Sequence, residues 1–121
     1  MRLNLDGNVN PTRGRVEVFL NDEWGTVCDD GWQINEADVI CRQLGFTYAT
    51  MAVKEAYFGK GTGPIHKRFV DCLGTEEQLK DCWTLNMTAA SRGRGNTGYC
   101  SHGEDAGVIC SMATPPVSKY E

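Results

Sequence analysis

The sequence lacks any apolar run long enough to cross a bilayer. A spanning helix needs roughly 20 such residues in succession, and polar or charged residues interrupt every stretch well before that. No direct membrane insertion is expected. A basic excess is missing too: 12 Lys and Arg stand against 16 Asp and Glu, a net charge of -4, whereas a dedicated nucleic-acid binder carries a Lys/Arg surplus. The chain holds only 2 histidines, His66 and His102. Each can be paired on paper with a Ser and an Asp, yet no Gly-x-Ser-x-Gly elbow or other nucleophile context accompanies them. No catalytic residue is expected, and the chain is read as a non-enzyme. Repeats at solenoid periods are absent, and Met1–Asp6 has no apolar core of signal-peptide type, so a secretion signal is expected outside these residues.

What is present suits one small domain. The chain has 121 residues, 40% hydrophobic and 23% charged, enough to bury a core and to exclude wholesale disorder. Its 6 cysteines, at positions 28, 41, 72, 82, 100 and 110, are dense and even in number, as expected for three disulfides formed in an oxidising compartment. No Cys-x-x-Cys pair of the zinc or thioredoxin type occurs. Six cysteines allow 15 pairings, and spacing alone does not choose among them. Asn86-Met87-Thr88 is an N-glycosylation acceptor pattern, whereas Pro11 disqualifies Asn10-Pro11-Thr12.

Local patterns predict α+β organisation. Residues 15–20 alternate in polarity, and a second strand-like run at 24–28 follows Asn21-Asp22-Glu23, which reads as a β-hairpin. Ala37, Ile40, Cys41 and Leu44 share one face of a helix with Asn35 as expected N-cap, acidic first-turn residues Glu36 and Asp38, and Gly45 at C′. Thr75-Glu76-Glu77-Gln78 fits a capping box for a second, short helix ending near Cys82. The glycines at 59, 61 and 63 lack phosphate-loop context and read as a tight structural loop. Residues 84–99 read as an exposed loop, and 112–121, with Pro115-Pro116, as a linker after a domain covering 1–111.

Six segments, taken in order, resemble a scavenger receptor cysteine-rich domain: Arg2-Leu3, Gly14–Val18, Trp24–Trp32, Val39–Gly45, Phe58–Ile65 and His102–Cys110. The resemblance implies a curved, mainly antiparallel sheet cradling one main helix, one short second helix and long loops. Phe46 stands where the eight-cysteine group has a cysteine, so the chain is similar to the six-cysteine group A. That pattern implies the pairs Cys28 with Cys100, Cys41 with Cys110, and Cys72 with Cys82. Two departures stand out. The 17 residues between Cys82 and Cys100 form an unusually long loop, and His66-Lys67-Arg68-Phe69 replaces a segment that often carries acidic ligands for a second cation.

Asp29 and Asp30 follow Cys28, and Glu104 and Asp105 precede Cys110. Clustered carboxylates suit a hard cation such as Ca²⁺, and the resemblance carries Asp29, Asp30 and Glu104 over as its ligands, with Asp105 set apart. The plainer alternative is that Asp29 and Asp105 cap turns or pair with Arg15 or Arg42. His66, Lys67 and Arg68, with Lys60 upstream and Arg92 and Arg94 in the long loop, are candidates for an anion-binding patch whose affinity falls with salt. His102 is expected to be structural, and Trp24, Trp32 and Trp83 to pack rather than stack ligands. The resemblance therefore implies an extracellular module that binds proteins or polyanions such as sulfated polysaccharide or microbial surfaces, with Ca²⁺ assistance. The alternatives are an accessory domain of a larger secreted enzyme of lysyl-oxidase-like or serine protease type and an architectural spacer.

Overall fold

Strand alternation decides which side chains of the longest strand meet the core, since successive residues point to opposite faces. In β3 (Arg13–Leu20), Val16 and Val18 join the hydrophobic core, while Arg15, Glu17 and Phe19 point the other way. This computed structural model describes residues 1–67, 70–83 and 100–112. The remaining strands are β1 (Arg2–Leu5), β2 (Asn8–Val9), β4 (Glu23–Val27), β5 (Tyr48–Val53), β6 (Ile65–Lys67) and β7 (Gly107–Ser111). The expected hairpin is β3–β4. Asn21 and Asp22, at φ 54 and 63, make the two-residue left-handed turn that matches strand twist.

The sheet has 7 strands, ordered β2-β1-β3-β4-β6, with β7 joining β3 and β5 joining β7. Every pair is antiparallel except β4–β6. Along β3, β4 pairs with Glu17–Leu20 and β7 with Arg13–Arg15. At the junction between these partners, Cys28 and Asp105 form an isolated bridge. The acidic residues singled out above therefore lie where the sheet changes partner.

The main helix, α1 (Ile34–Gln43), packs on β5 and β7. Its N-cap is Gln33 rather than Asn35, because Glu36 reaches back to accept the Gln33 N–H at 2.8 Å. Its end is as expected. Gly45, at φ +98, and Phe46 donate to the carbonyls of Arg42 and Cys41 at 3.0 and 2.9 Å, a Schellman motif. Ala37, Ile40 and Cys41 are buried, but so are Glu36 and Asp38, which serve as acceptors for a neighbouring loop and for β5. Glu36 takes the Cys72 N–H and Asp38 the Ala49 N–H, each at 2.8 Å.

The second helix, α2 (Lys80–Trp83), is shorter and later than the capping-box reading. Glu76 instead turns back to accept the Leu73 and Gly74 N–H groups, both at 2.9 Å, and the Leu79 N–H is taken by Gln43 at 2.8 Å. The disulfides are Cys28–Cys100, Cys41–Cys110 and Cys72–Cys82, the pairing that the resemblance implied. Trp32 is fully buried and its indole N–H donates to the Gly107 carbonyl at 2.9 Å, so it packs rather than binds.

Candidate functional site

Two short loops run side by side at the sheet junction. Asp29 N–H donates to the Glu104 carbonyl and Ala106 N–H to the Val27 carbonyl, both at 2.8 Å, and the Cys28–Cys100 disulfide clamps the pair. A turn closes the first loop through Trp32 N–H and the Asp29 carbonyl at 2.9 Å, with Gly31 at φ +70. A 3-10 turn, His102–Glu104, forms the second. Asp29 and Asp30 are half-buried and Glu104 is exposed. One Asp29 oxygen accepts the Glu55 N–H at 2.8 Å. Burial pushes the Asp29 carboxyl above its ordinary range against the opposing Glu55 N–H and Lys54 charge, and the neighbouring Asp30 and Glu55 charges push it the same way. Glu104 Oε1 lies 3.1 Å from Cys100 Sγ and 3.9 Å from Cys28 Sγ; disulfide sulfurs carry no proton, so these are contacts rather than hydrogen bonds. Among the described residues, no three carboxylates have oxygens all within 4.8 Å of one another.

Asp105 takes a different part. Its side chain is fully buried and accepts the Gly61 N–H at 2.7 Å and His102 Nδ1 at 2.9 Å. His102 Nε2 donates to the Gly63 carbonyl at 2.9 Å. Burial disfavours the charged ring, but the Gly63 carbonyl and the Asp105 carboxylate outweigh it, so His102 titrates above its ordinary 6.5. His102 is structural, and so is the glycine loop. A Cβ on Gly61 would stand 2.6 Å from Thr26 Cγ2 and 3.0 Å from Arg15 Nε. Alongside, Arg15 pairs with Glu17 at 2.8 Å and donates to the Gly59 carbonyl at 2.9 Å. Glu17 also holds Arg2 at 2.7 Å, and the Arg2 guanidinium lies 3.9 Å from the Trp24 ring centre. Arg15 thus pairs with Glu17, and Arg42 donates to the Gly74 and Glu76 carbonyls.

Of the basic candidates, His66 and Lys60 have described side chains. His66 packs over Gly25, where a Cβ would come within 2.4 Å of its ring, and its Nε2 bonds the Glu23 carbonyl at 2.9 Å. Lys60 is exposed and its Cε approaches Gly103 of the 3-10 turn. The Lys67 side chain, Arg68, Arg92 and Arg94, the Asn86 acceptor, the Trp83 side chain and residues 113–121 of the expected linker lie outside the described residues.

The turn after β5 gave no signal in the sequence. Glu55 and Ala56 both adopt left-handed backbone, at φ 58 and 52, costing roughly 1–2 kcal/mol per residue. Neither glycine nor asparagine marks the place. The conformation is held from outside: Glu55 N–H by Asp29, and Ala56 N–H by the Asp105 carbonyl at 3.0 Å.

The family model described as the scavenger receptor cysteine-rich domain matches residues 6–111. Over 108 residues the chain is 47% identical to lysyl oxidase homolog 2 of Gallus gallus, a stretch covering 89% of this chain and only 13% of that protein. Among solved structures, the third such domain of murine neurotrypsin is 46% identical with a TM-score of 0.74, over 93% of this chain and 97% of that one. The dimeric form of the mouse MARCO domain is 43% identical with a TM-score of 0.66, over 90% and 94%.

Proposed function

Because the chain belongs to the scavenger receptor cysteine-rich domain family, whose members are non-catalytic recognition modules, we propose that it binds extracellular proteins or polyanions with Ca²⁺ assistance. The observation that supports this reading is the pair of loops clamped by Cys28–Cys100, joined by the Asp29 N–H to Glu104 carbonyl bond, on which Asp29, Asp30 and Glu104 are each at least partly open to solvent. Three bridges also favour an extracellular setting, where disulfides persist.

The donor set fits the ion in kind. Ca²⁺ takes six to eight oxygen ligands at about 2.3–2.6 Å, and burial, together with the adjacent Asp30 charge, disfavours the ionised Asp29 carboxylate, a cost that a bound cation offsets. Asp29, Asp30 and Glu104 would hold the ion, with Glu104 turning away from Cys100 to complete the set. When bound, Ca²⁺ supplies positive charge that can bridge to an anionic group of a ligand. Basic segments of this chain, Lys60 with Lys67 and Arg68 foremost, add attraction for sulfated polymers that weakens with salt.

Calorimetry tests the ion directly. The wild-type domain should give Ca²⁺-dependent heat and a thermal shift at millimolar Ca²⁺, and Asp30→Ala should abolish both; silence in the wild type refutes the Ca²⁺ part. Heparin and dextran sulfate binding, followed against NaCl, tests the polyanion part. Replacing Lys67 and Arg68 together with Ala should weaken it, and no binding at low salt or with Ca²⁺ rejects it.

A second reading draws support from the lysyl oxidase homolog 2 match, which covers 13% of a much longer protein: the module as an accessory domain of a larger secreted enzyme. The full-length precursor sequence separates the two, since a catalytic domain beside the module favours the enzyme and a collagenous stalk with a transmembrane helix favours a receptor.

A further inference from the structure

A groove of about 520 Å³ crosses the outer part of the sheet, and its Lys54 end adjoins the clamped acidic loops, where Asp29 accepts the Glu55 N–H. Strand register builds it. Arg13 on β3, Ile109 on β7 and Met51 on β5 are cross-strand partners in one row, and Arg15, Gly107 and Val53 form the next. Paired residues point to the same side of a sheet, so the first row sets an apolar floor with a guanidinium at one end. In the second row Gly107 has no side chain, and Phe58 fills the space: a Cβ there would lie 2.9 Å from Phe58 Cδ2. Tyr57 stands against Phe58, ring centres 5.4 Å apart, and is 78% exposed. Met51, at 53%, is the other exposed apolar rim residue. Lys54, just past the end of β5, also lines it.

The charge pattern selects the occupant. The eight lining residues are Arg13, Lys54 and six apolar or aromatic ones, with no carboxylate among them. Neither cation enters a close ion pair among the described residues, although the Lys54 charge acts on Asp29. Two strand spacings of about 4.8 Å separate the Arg13 and Met51 positions, and an extended chain advances about 3.3 Å per residue. The apolar floor is therefore about three residues wide between Arg13 and Met51, with Lys54 three residues farther along the chain from Met51.

We propose that this groove binds an extended segment of a partner protein in which a large apolar side chain is flanked on both sides by carboxylates, the apolar group lying on Ile109 and Val53 between Tyr57 and Met51 and the carboxylates meeting Arg13 and Lys54. The two held left-handed residues before Tyr57 keep that ring at the rim before any ligand arrives, and a pre-set rim reduces the ordering lost on binding. The proposal rests on the recognition-module reading and assigns it a second surface that needs no Ca²⁺.

The probe is a fluorescein-labelled acidic peptide with a central Leu-Phe flanked by Asp and Glu, titrated in EDTA so that failure of the Ca²⁺ reading leaves the outcome untouched. Two twins serve as controls, one with Asn and Gln for the acids and one with Ser for Leu-Phe. The acidic peptide should shift the amides of Met51–Val53, Tyr57, Phe58 and Ile109, while both twins bind weakly. Arg13→Glu with Lys54→Glu should lower affinity about tenfold, and Tyr57→Ser about fivefold. All three positions are exposed, so circular dichroism of the variants should match the wild type. The proposal is overturned if these amides stay still at millimolar peptide, if the neutral twin binds equally, if the variants bind like the wild type, or if the groove takes phosphatidylserine vesicles and ignores the peptide.

Discussion

The His102–Asp105 pair should make the stability of this fold fall as pH rises. Asp105 is fully buried and His102 is 24% exposed, their atoms 2.9 Å apart. Both ring nitrogens face acceptors, the Asp105 carboxylate at Nδ1 and the Gly63 carbonyl at Nε2. A neutral imidazole has one N–H and the imidazolium has two. Only the charged ring can therefore serve both partners, and the pKa of His102 is raised accordingly. A raised folded-state pKa gives stability that is fully present below the unfolded value and lost as pH climbs through the folded one.

The magnitude follows from bond type. Hydrogen bonds to charged groups contribute about 1.5–3 kcal/mol and neutral ones about 0.5–1.5. A double-mutant cycle with His102→Gln and Asp105→Asn, read by urea denaturation, should give a coupling near the upper range at pH 5.5 and near the lower at pH 8.5. Asp105→Ala is harsher, because it leaves the Gly61 N–H and the His102 ring facing an empty buried position. Breaking a buried charged pair this way costs about 3–5 kcal/mol, a drop in Tm of roughly 10–25 °C at this size. A coupling that stays level between the two pH values would refute the reasoning, and one below about 0.5 kcal/mol would refute its size.

Gly61→Ala should cost about 1–3 kcal/mol by overpacking, since the added Cβ meets Thr26 at 2.6 Å and Arg15 at 3.0 Å; Gly7→Ala, with nothing within 4 Å but a φ of +88, should cost only the backbone strain of about 1–2 kcal/mol, and thermal melts compare the two. Reduction should unfold the domain, because closing loops with sequence separations of 72 and 69 contributes about 4 kcal/mol each in the chain-entropy account. An unchanged Tm under reductant, with free thiols confirmed, would contradict that.

The parts of the fold that depend on local pattern are legible in the sequence. Alternation placed the β3–β4 hairpin, the 3.6-residue period placed α1, and a glycine past the last apolar position marked its end at Gly45. Errors fell where a side chain bonded to something distant. Glu36 looked like a dipole-favouring residue of the first turn, but Cys72 and Gln33 make it a buried acceptor and move the N-cap. Burial raises its carboxyl despite those amides. Glu76 looked like part of a capping box, yet it closes the loop behind itself. The acidic site was partly legible for the same reason: the Cys28–Cys100 pairing implied that Asp29 and Glu104 are neighbours. That Asp105 and Asp29 hold a loop more than twenty residues away in sequence depends on contacts that spacing does not encode.

Those two aspartates explain how the far loop is ordered without a large core of its own. Asp29 accepts from Glu55, the Asp105 carbonyl from Ala56, and the Asp105 carboxylate from Gly61. Three bonds thus fasten residues 55–61 to the junction where β4 gives way to β7. Arg15 adds a fourth at Gly59 and His102 a fifth at Gly63. Most of these bonds involve a charged or buried partner, which makes each costlier to leave unmade than an exposed neutral one. The loop's position is set chiefly by polar contacts on the face of β3 opposite the hydrophobic core. Acidic residues there act both as scaffold and as candidate ligands. Of the acidic residues beside the Cys28–Cys100 bridge, Asp105 belongs wholly to the scaffold, Asp29 contributes one oxygen to it, and Glu104 is the most open to solvent.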